Sequence, residues 1–101
     1  MQLSVVILNY NVQYFLLQCV DSVVRAVRGM DAEIIVVDNN SPDESCALLK
    51  TYFPGVNLIA HPENAGFPKG NNIGVAAAAG RLVLILNPDT VLSEDTLTKA
   101  I

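Results

Sequence analysis

The sequence is poor in the residues that most often announce a chemistry. Its 101 residues include one histidine, no tryptophan, two cysteines, and six Lys plus Arg against ten Asp plus Glu. A net charge of −4 with so few cations excludes the basic face that a nucleic-acid-binding domain needs. Cys19 and Cys46 are too few for a disulfide framework, and both fall in helical patterns, so they read as reduced core thiols. No apolar run reaches the roughly 18 residues of a membrane span, because Arg81 interrupts the longest. Met1-Gln2 and the strand-like run behind it lack the basic start and long apolar stretch of a signal peptide. His61, between Ala60 and Pro62, has no second histidine and no nucleophile context, and reads as a loop residue. Glycine-rich phosphate loops are missing too. Asn9-Tyr10-Asn11-Val12 stands where G-x-G-x-x-G would follow the first strand, and no G-x-x-x-x-G-K-[ST] occurs. The first strand also lacks the carboxylates of a phosphoaspartate receiver.

What is there is apolar and patterned. Hydrophobic residues make up 51% of the chain and charged ones 16%, which argues against disorder. The length suits one domain, which at this size buries roughly 65% of the surface of its unfolded chain. Runs at 3–8, 33–38, 56–60 and 82–87 are apolar on both parities, as strands buried on both faces of a parallel sheet would be. Between them the spacing turns helical. Leu16, Val20, Val23, Val24 and Val27 form one stripe, with Gln13, Asp21, Arg25 and Arg28 outward and Gly29 as a stop. Ser41-Pro42-Asp43-Glu44 predicts a capping box opening a second helix, whose apolar face is Leu48, Leu49 and Tyr52 and which Pro54-Gly55 ends. A third helix is expected over Val75–Ala79, ending at Gly80, and a fourth from about Ser93. The alternation predicts an α/β fold, a Rossmann-like open parallel sheet of four strands with flanking helices. Ligands of such sheets bind beyond the carboxyl ends of the strands.

The nine asparagines collect at that edge. Asn9 and Asn11 follow the first strand, Asn39 and Asn40 the second, Asn64, Asn71 and Asn72 the third, and Asn87 closes the fourth; only Asn57 lies at the other end. Asparagine also suits ordinary turns, since it tolerates left-handed backbone and bonds its own chain. Turn chemistry alone, however, would put it in the loops entering the strands as well, and those at 29–32, 54–56 and 80–81 hold none. A polar ligand surface is the reading that accounts for the asymmetry. Asp38 and Asp89 fall on the same edge. Asp38 fits either an Asx-turn or an acceptor for a ribose hydroxyl or base N–H. Asp89, behind Pro88, is a poor metal site alone but a sensible one beside phosphate oxygens.

Five segments in order resemble the family 2 glycosyltransferases: Val5–Asn11, Glu33–Asp43, Glu63–Phe67, Gly70–Gly74 and Leu86–Thr90. Gly66-Phe67 after Asn64, and Asn87-Pro88-Asp89-Thr90, look most like the bacterial rhamnosyltransferase-like branch. The resemblance implies the N-terminal half of a GT-A fold and an inverting transfer from a nucleoside-diphosphate-sugar, of UDP or dTDP type, to an acceptor hydroxyl. It implies a nucleotide site at Leu8, Asn9, Tyr10, Asn11, Asp38, Asn40, Gly66, Lys69, Asn72 and Asn87, with Gly66–Asn72 as a loop flanking the nucleotide. Asp89 would be the ligand of a divalent cation, Mn2+ or Mg2+. Asn87 stands where other members carry a first aspartate, which makes the cation less firmly implied. The family's catalytic base lies in a second half beyond residue 101, so residues 1–101 are expected to be the donor-binding part, without a catalytic residue of their own. The resemblance also implies work on bacterial cell-surface polysaccharide, in the cytoplasm or at the inner face of the membrane, with a glycan or lipid-linked acceptor. A non-catalytic nucleotide-binding or regulatory module of the same fold is the alternative, and an exposed sheet edge would allow self-association.

Overall fold

A computed structural model describes residues 1–62, 66–89 and 91–92, the side chains of Phe67 and Pro68 excepted. Its elements alternate: β1 (Leu3–Asn9), α1 (Gln13–Ala26), β2 (Ala32–Asp38), α2 (Ser45–Tyr52), β3 (Asn57–Ala60), α3 (Gly66–Ala77) and β4 (Leu82–Leu86). The strands form one sheet in the order β3-β2-β1-β4, and all three pairings are parallel. The expected fold class holds.

Chain direction reverses at β1: the first three strands step one way across the sheet, and β4 returns to the other side of β1. Right-handed crossovers then put α1 and α2 on one face and α3 on the other. The core divides accordingly. Leu3, Val5, Ile7, Ile34 and Val36 pack under Leu16, Cys19, Val20, Val23 and Leu49, while Val6, Leu8, Ile35 and Val37 face Ile73 and Ala78. Side chains alternate faces along a strand, so one residue of each adjacent pair feeds each core.

Four expectations need correction. The second helix begins at Ser45, not behind Ser41, because the acceptor side of the Ser41 hydroxyl is taken by the Asn11 N–H and by Asn9 Nδ2 instead of by a helix N–H. Asp43 supplies the start, its Oδ1 accepting from the Ser45 N–H at 3.0 Å. Tyr52 does not join the apolar face of α2 but stands 65% exposed, and Leu49 fills the core place. The third helix starts at Gly66, so the expected loop over 66–72 is helical. Its glycines are there for contact: a Cβ on Gly70 would lie 2.5 Å from Leu8 Cδ1, and one on Gly74 would lie 2.4 Å from Val6 Cγ1. Finally, β3 and β4 are not buried on both faces. β4 is an edge strand, and Leu82, Val83 and Ile85 are 41–49% exposed. The expected helix from Ser93 lies outside the described residues, as do Asn64 and Thr90. Among the described residues, no helix is long and apolar enough to cross a membrane.

Candidate functional site

The place where strand order reverses, outside the carboxyl ends of β1 and β4, is where open α/β sheets take their ligands. Two structures meet there.

The first is a buried polar node at the ends of β1 and β2. Register pairs Asn9 with Asp38, and both continue the parity of the α1/α2 face. Asn9 is fully buried and Asp38 only 3% exposed. Asn9 Nδ2 donates to Asp38 Oδ1 at 2.9 Å and to Ser41 Oγ at 3.2 Å. The Ser41 hydroxyl donates to Asp38 Oδ1 at 2.6 Å, and its backbone N–H donates to Oδ2 at 2.9 Å. Burial alone would raise the Asp38 carboxyl, but the hydrogen bonds from Ser41, Asn9 and the Cys46 thiol outweigh it and hold the group below its ordinary value. The same burial and the Asp38 charge push Cys46 up to about 11, so its thiol stays protonated and donates.

The node fixes the loops above it. Asn11 and Asn40 have left-handed backbones, φ 54° and 60°, a conformation that asparagine tolerates better than most residues. The Asn11 N–H donates to Ser41 Oγ at 2.9 Å, which ties the β1 loop to the β2 loop. A second tie joins the starts of α1 and α2. The Gln13 N–H donates to Asp43 Oδ2 at 3.1 Å, and the Glu44 N–H donates to Gln13 Oε1 at 2.8 Å. Tyr10, Asn11 and Asn40 are exposed on this scaffold.

The second structure is an open groove of about 430 Å³ between the first turn of α1 and the end of β4. Val12, Phe15 and Pro88 give it an apolar wall, and Asn87 and Asp89 a polar one. Both polar residues are exposed. Among the described residues, no three His, Cys, Asp or Glu side chains group to hold a metal by themselves. One carboxylate beside an amide does suit a hard cation whose remaining ligands are phosphate oxygens and water.

The other expected residues are distributed by α3. Gly66 opens it with φ +79°, Lys69 is exposed on its first turn, and Gly70 seats that turn on Leu8 and Asn39. Asn72 is exposed further along the helix rather than in a loop at the sheet edge. Leu8 is buried beneath α3 and offers the site no side-chain surface.

Four residues outside the expected set belong here. Ser41 is the hub of the node. Asp43 and Gln13 hold the helix starts together. Asn39, 2% exposed, follows Val37 onto the α3 face; its Nδ2 donates to the Gly66 carbonyl at 3.4 Å. Among the described residues the buried side-chain oxygens without a partner are those of Asn9, Asn39 and Asn71. Strand parity is the signal that separates Asn39 from Asp38.

Comparison with known proteins agrees with this architecture. The sequence profile described as Glycosyl transferase family 2 matches residues 4–101. The minor teichoic acid biosynthesis protein GgaB of Bacillus subtilis is 32% identical over 97 residues, covering 92% of this chain and 11% of its own length. A PGL/p-HBAD biosynthesis glycosyltransferase of Mycobacterium bovis is 36% identical over 100 residues, covering 95% of this chain and 39% of its own. The chain thus spans well under half the length of these relatives. S. aureus TarS solved with UDP-GlcNAc superimposes with a TM-score of 0.85 at 26% identity, over 99% of this chain and 30% of that one. The mannosyltransferase PcManGT of Pyrobaculum calidifontis, solved with GDP-Man and Mn2+, shares the fold with a TM-score of 0.89 at 24% identity, over 98% and 31%.

Proposed function

The chain belongs to glycosyl transferase family 2, and from that premise we propose that residues 1–101 form the donor-binding part of an enzyme that transfers a sugar from a nucleoside diphosphate to an acceptor hydroxyl with inversion. The observation that carries this reading is the pairing of a rigid polar node with an open acidic groove at one switch point. The node supports recognition of a nucleoside. Asn9 and Asp38 are buried, so they act by fixing the loops that bear Tyr10, Asn11 and Asn40, and those loops are what a base and ribose meet.

The groove supports recognition of the diphosphate. Asp89, with Asn87 beside it, would hold a divalent cation through one carboxylate, and Lys69 stands on the α3 side as a further positive group. When bound, such a cation neutralises charge developing on the departing diphosphate. The chain's own residues orient the donor, and the acceptor's base and binding surface are supplied from beyond these 101 residues in this reading.

Titration calorimetry with UDP, dTDP and GDP, each with and without Mn2+, tests the proposal. Binding of one diphosphate that tightens with Mn2+ is expected. The absence of binding by all three, in a sample whose circular dichroism shows it folded, overturns it. A preference for dTDP over UDP would favour the rhamnosyl branch.

A further inference from the structure

Two side chains of α1 that play no part in the site above face the segment leading out of β4. Cys19 is fully buried, and its thiol points at the Asn87 carbonyl oxygen, with Sγ and O 3.7 Å apart. One turn further, Ser22 is 7% exposed. Its hydroxyl donates to the Cys19 carbonyl at 2.8 Å and accepts the Leu92 N–H at 3.0 Å. Leu92 itself packs against the core on the α1 face. The exposed Asp89 lies between these two attachments. Burial first, and then the Asp89 charge, push the Cys19 thiol up to about 11, which agrees with the carboxylate lying close to it.

From these contacts we infer that Cys19 and Ser22 are positioning residues, anchoring Asn87 and Leu92 to α1 on either side of Asp89 so that its carboxylate is held at the rim of the groove. The inference rests on the proposed nucleotide site for its purpose, but not for its geometry. A carboxylate on an untethered loop loses conformational freedom when it takes up a cation, and that loss weakens binding. Anchors at Asn87 and Leu92 remove part of that freedom before the cation arrives. Groups that orient a metal ligand without touching the metal typically change affinity about 10- to 100-fold when removed.

Hydrogen exchange and calorimetry on the wild type, Ser22→Ala and Cys19→Ala test this together. Exchange needs no ligand. In Ser22→Ala the Leu92 amide is expected to exchange about tenfold faster, the effect of losing about 1.4 kcal/mol of protection. The amides of β1 and β2 report in the same experiment that the fold persists. Unchanged protection of the Leu92 amide, with the sheet intact, overturns the attachment at Ser22. In calorimetry with UDP, the Mn2+-dependent gain in affinity is expected to fall about tenfold in both variants, while the Mn2+-independent part stays. Equal loss of both parts, or of neither, overturns the positioning role. Should the wild type bind no nucleotide, the proposed function falls and the purpose assigned to the attachment falls with it, while exchange still decides the attachment itself.

Discussion

The carboxyl edge of the sheet carries an asparagine and an aspartate twice, at the joined ends of β1 and β2 and again past β4, and the two pairs behave as opposites. Asn9 and Asp38 are buried, and the Asn9 amide N–H groups bond Asp38 directly and Ser41 beside it. Asn87 and Asp89 are exposed on the wall of a groove. Chemistry does not distinguish the pairs; neighbours do. β1 and β2 are central strands roofed by α1 and α2, so their ends are closed off, and polar groups there must find partners within the protein. β4 is at the edge of the described sheet and runs out into solvent. In the proposed function the buried pair shapes the site, and the exposed pair touches what enters it.

Breaking the buried pair is expected to have the largest effect. Asp38→Ala leaves the Ser41 N–H and the Ser41 hydroxyl without their acceptor and takes one of two acceptors from the Asn9 amide, and unmet buried donors cost about 1–3 kcal/mol each before relaxation. A loss of about 3 kcal/mol is expected, read as a lowered urea midpoint with an unchanged slope. The pH dependence has a definite sign. Because the folded carboxyl lies below its ordinary value, the stability it confers is complete above about pH 4 and fades as pH falls through the folded value. Wild type and Asp38→Asn should therefore differ at pH 7 and converge in acid.

The next effect probes the seat of α3 beneath that node. Gly74→Ala drives a methyl into Val6 Cγ1, with Val37 Cγ2 only 3.2 Å away, and both neighbours are β-branched and stiff. About 2 kcal/mol of destabilisation is expected in thermal unfolding. Gly70→Ala meets the flexible end of Leu8 instead and should cost less than half as much.

The opposite edge of the sheet supplies a smaller test. Glu33 accepts from the Ser4 hydroxyl and from the Ala79 N–H, while the Gly80 N–H donates to Ser4 Oγ, which latches the end of α3 to β1 and β2. The Ser4 bond first, then that from Ala79, hold the Glu33 carboxyl below its ordinary value. Glu33→Gln should lower the urea midpoint at pH 7 by less than either change above. The gap should close below about pH 4, as protonation removes the wild-type advantage.

These contrasts also show where sequence reading succeeds. Four strands and their parallel pairing are legible, because apolar runs on both parities between amphipathic helices leave few arrangements. Edge and centre are not: Leu82–Leu86 is as apolar as Leu3–Leu8, and only strand order makes one exposed. Ser41-Pro42-Asp43-Glu44 matches a capping box letter by letter, yet the Asn9 amide and the Asn11 N–H, from the end of β1, take the acceptor side of the same hydroxyl. Gly66, Pro68, Gly70 and Asn71 read as a loop because propensity weighs against them, whereas the close approach of Gly70 to Leu8 and of Gly74 to Val6 seats the helix on the sheet. In the site, the identities of Asn9 and Asp38 are legible but their burial is not, since it follows from register.

The exposed pair should respond in the reverse sense, and this gives the smallest expected change in stability. Asp89→Asn removes a charge but almost no packing, because the side chain is exposed on the groove wall. Surface substitutions of this kind usually stay within about 0.5 kcal/mol, so the urea midpoint should hardly move. Binding should move instead. With the carboxylate gone the groove keeps two neutral amides, which attract a hard cation poorly. The Mn2+-dependent part of nucleotide affinity should then drop about tenfold or more. Asp38→Asn is the counterpart, with a fall in stability and a Mn2+ dependence that is kept in whatever binding remains. An Asp89→Asn protein that lost stability as Asp38→Asn does, or kept its full response to Mn2+, would show that burial is not what divides the two pairs.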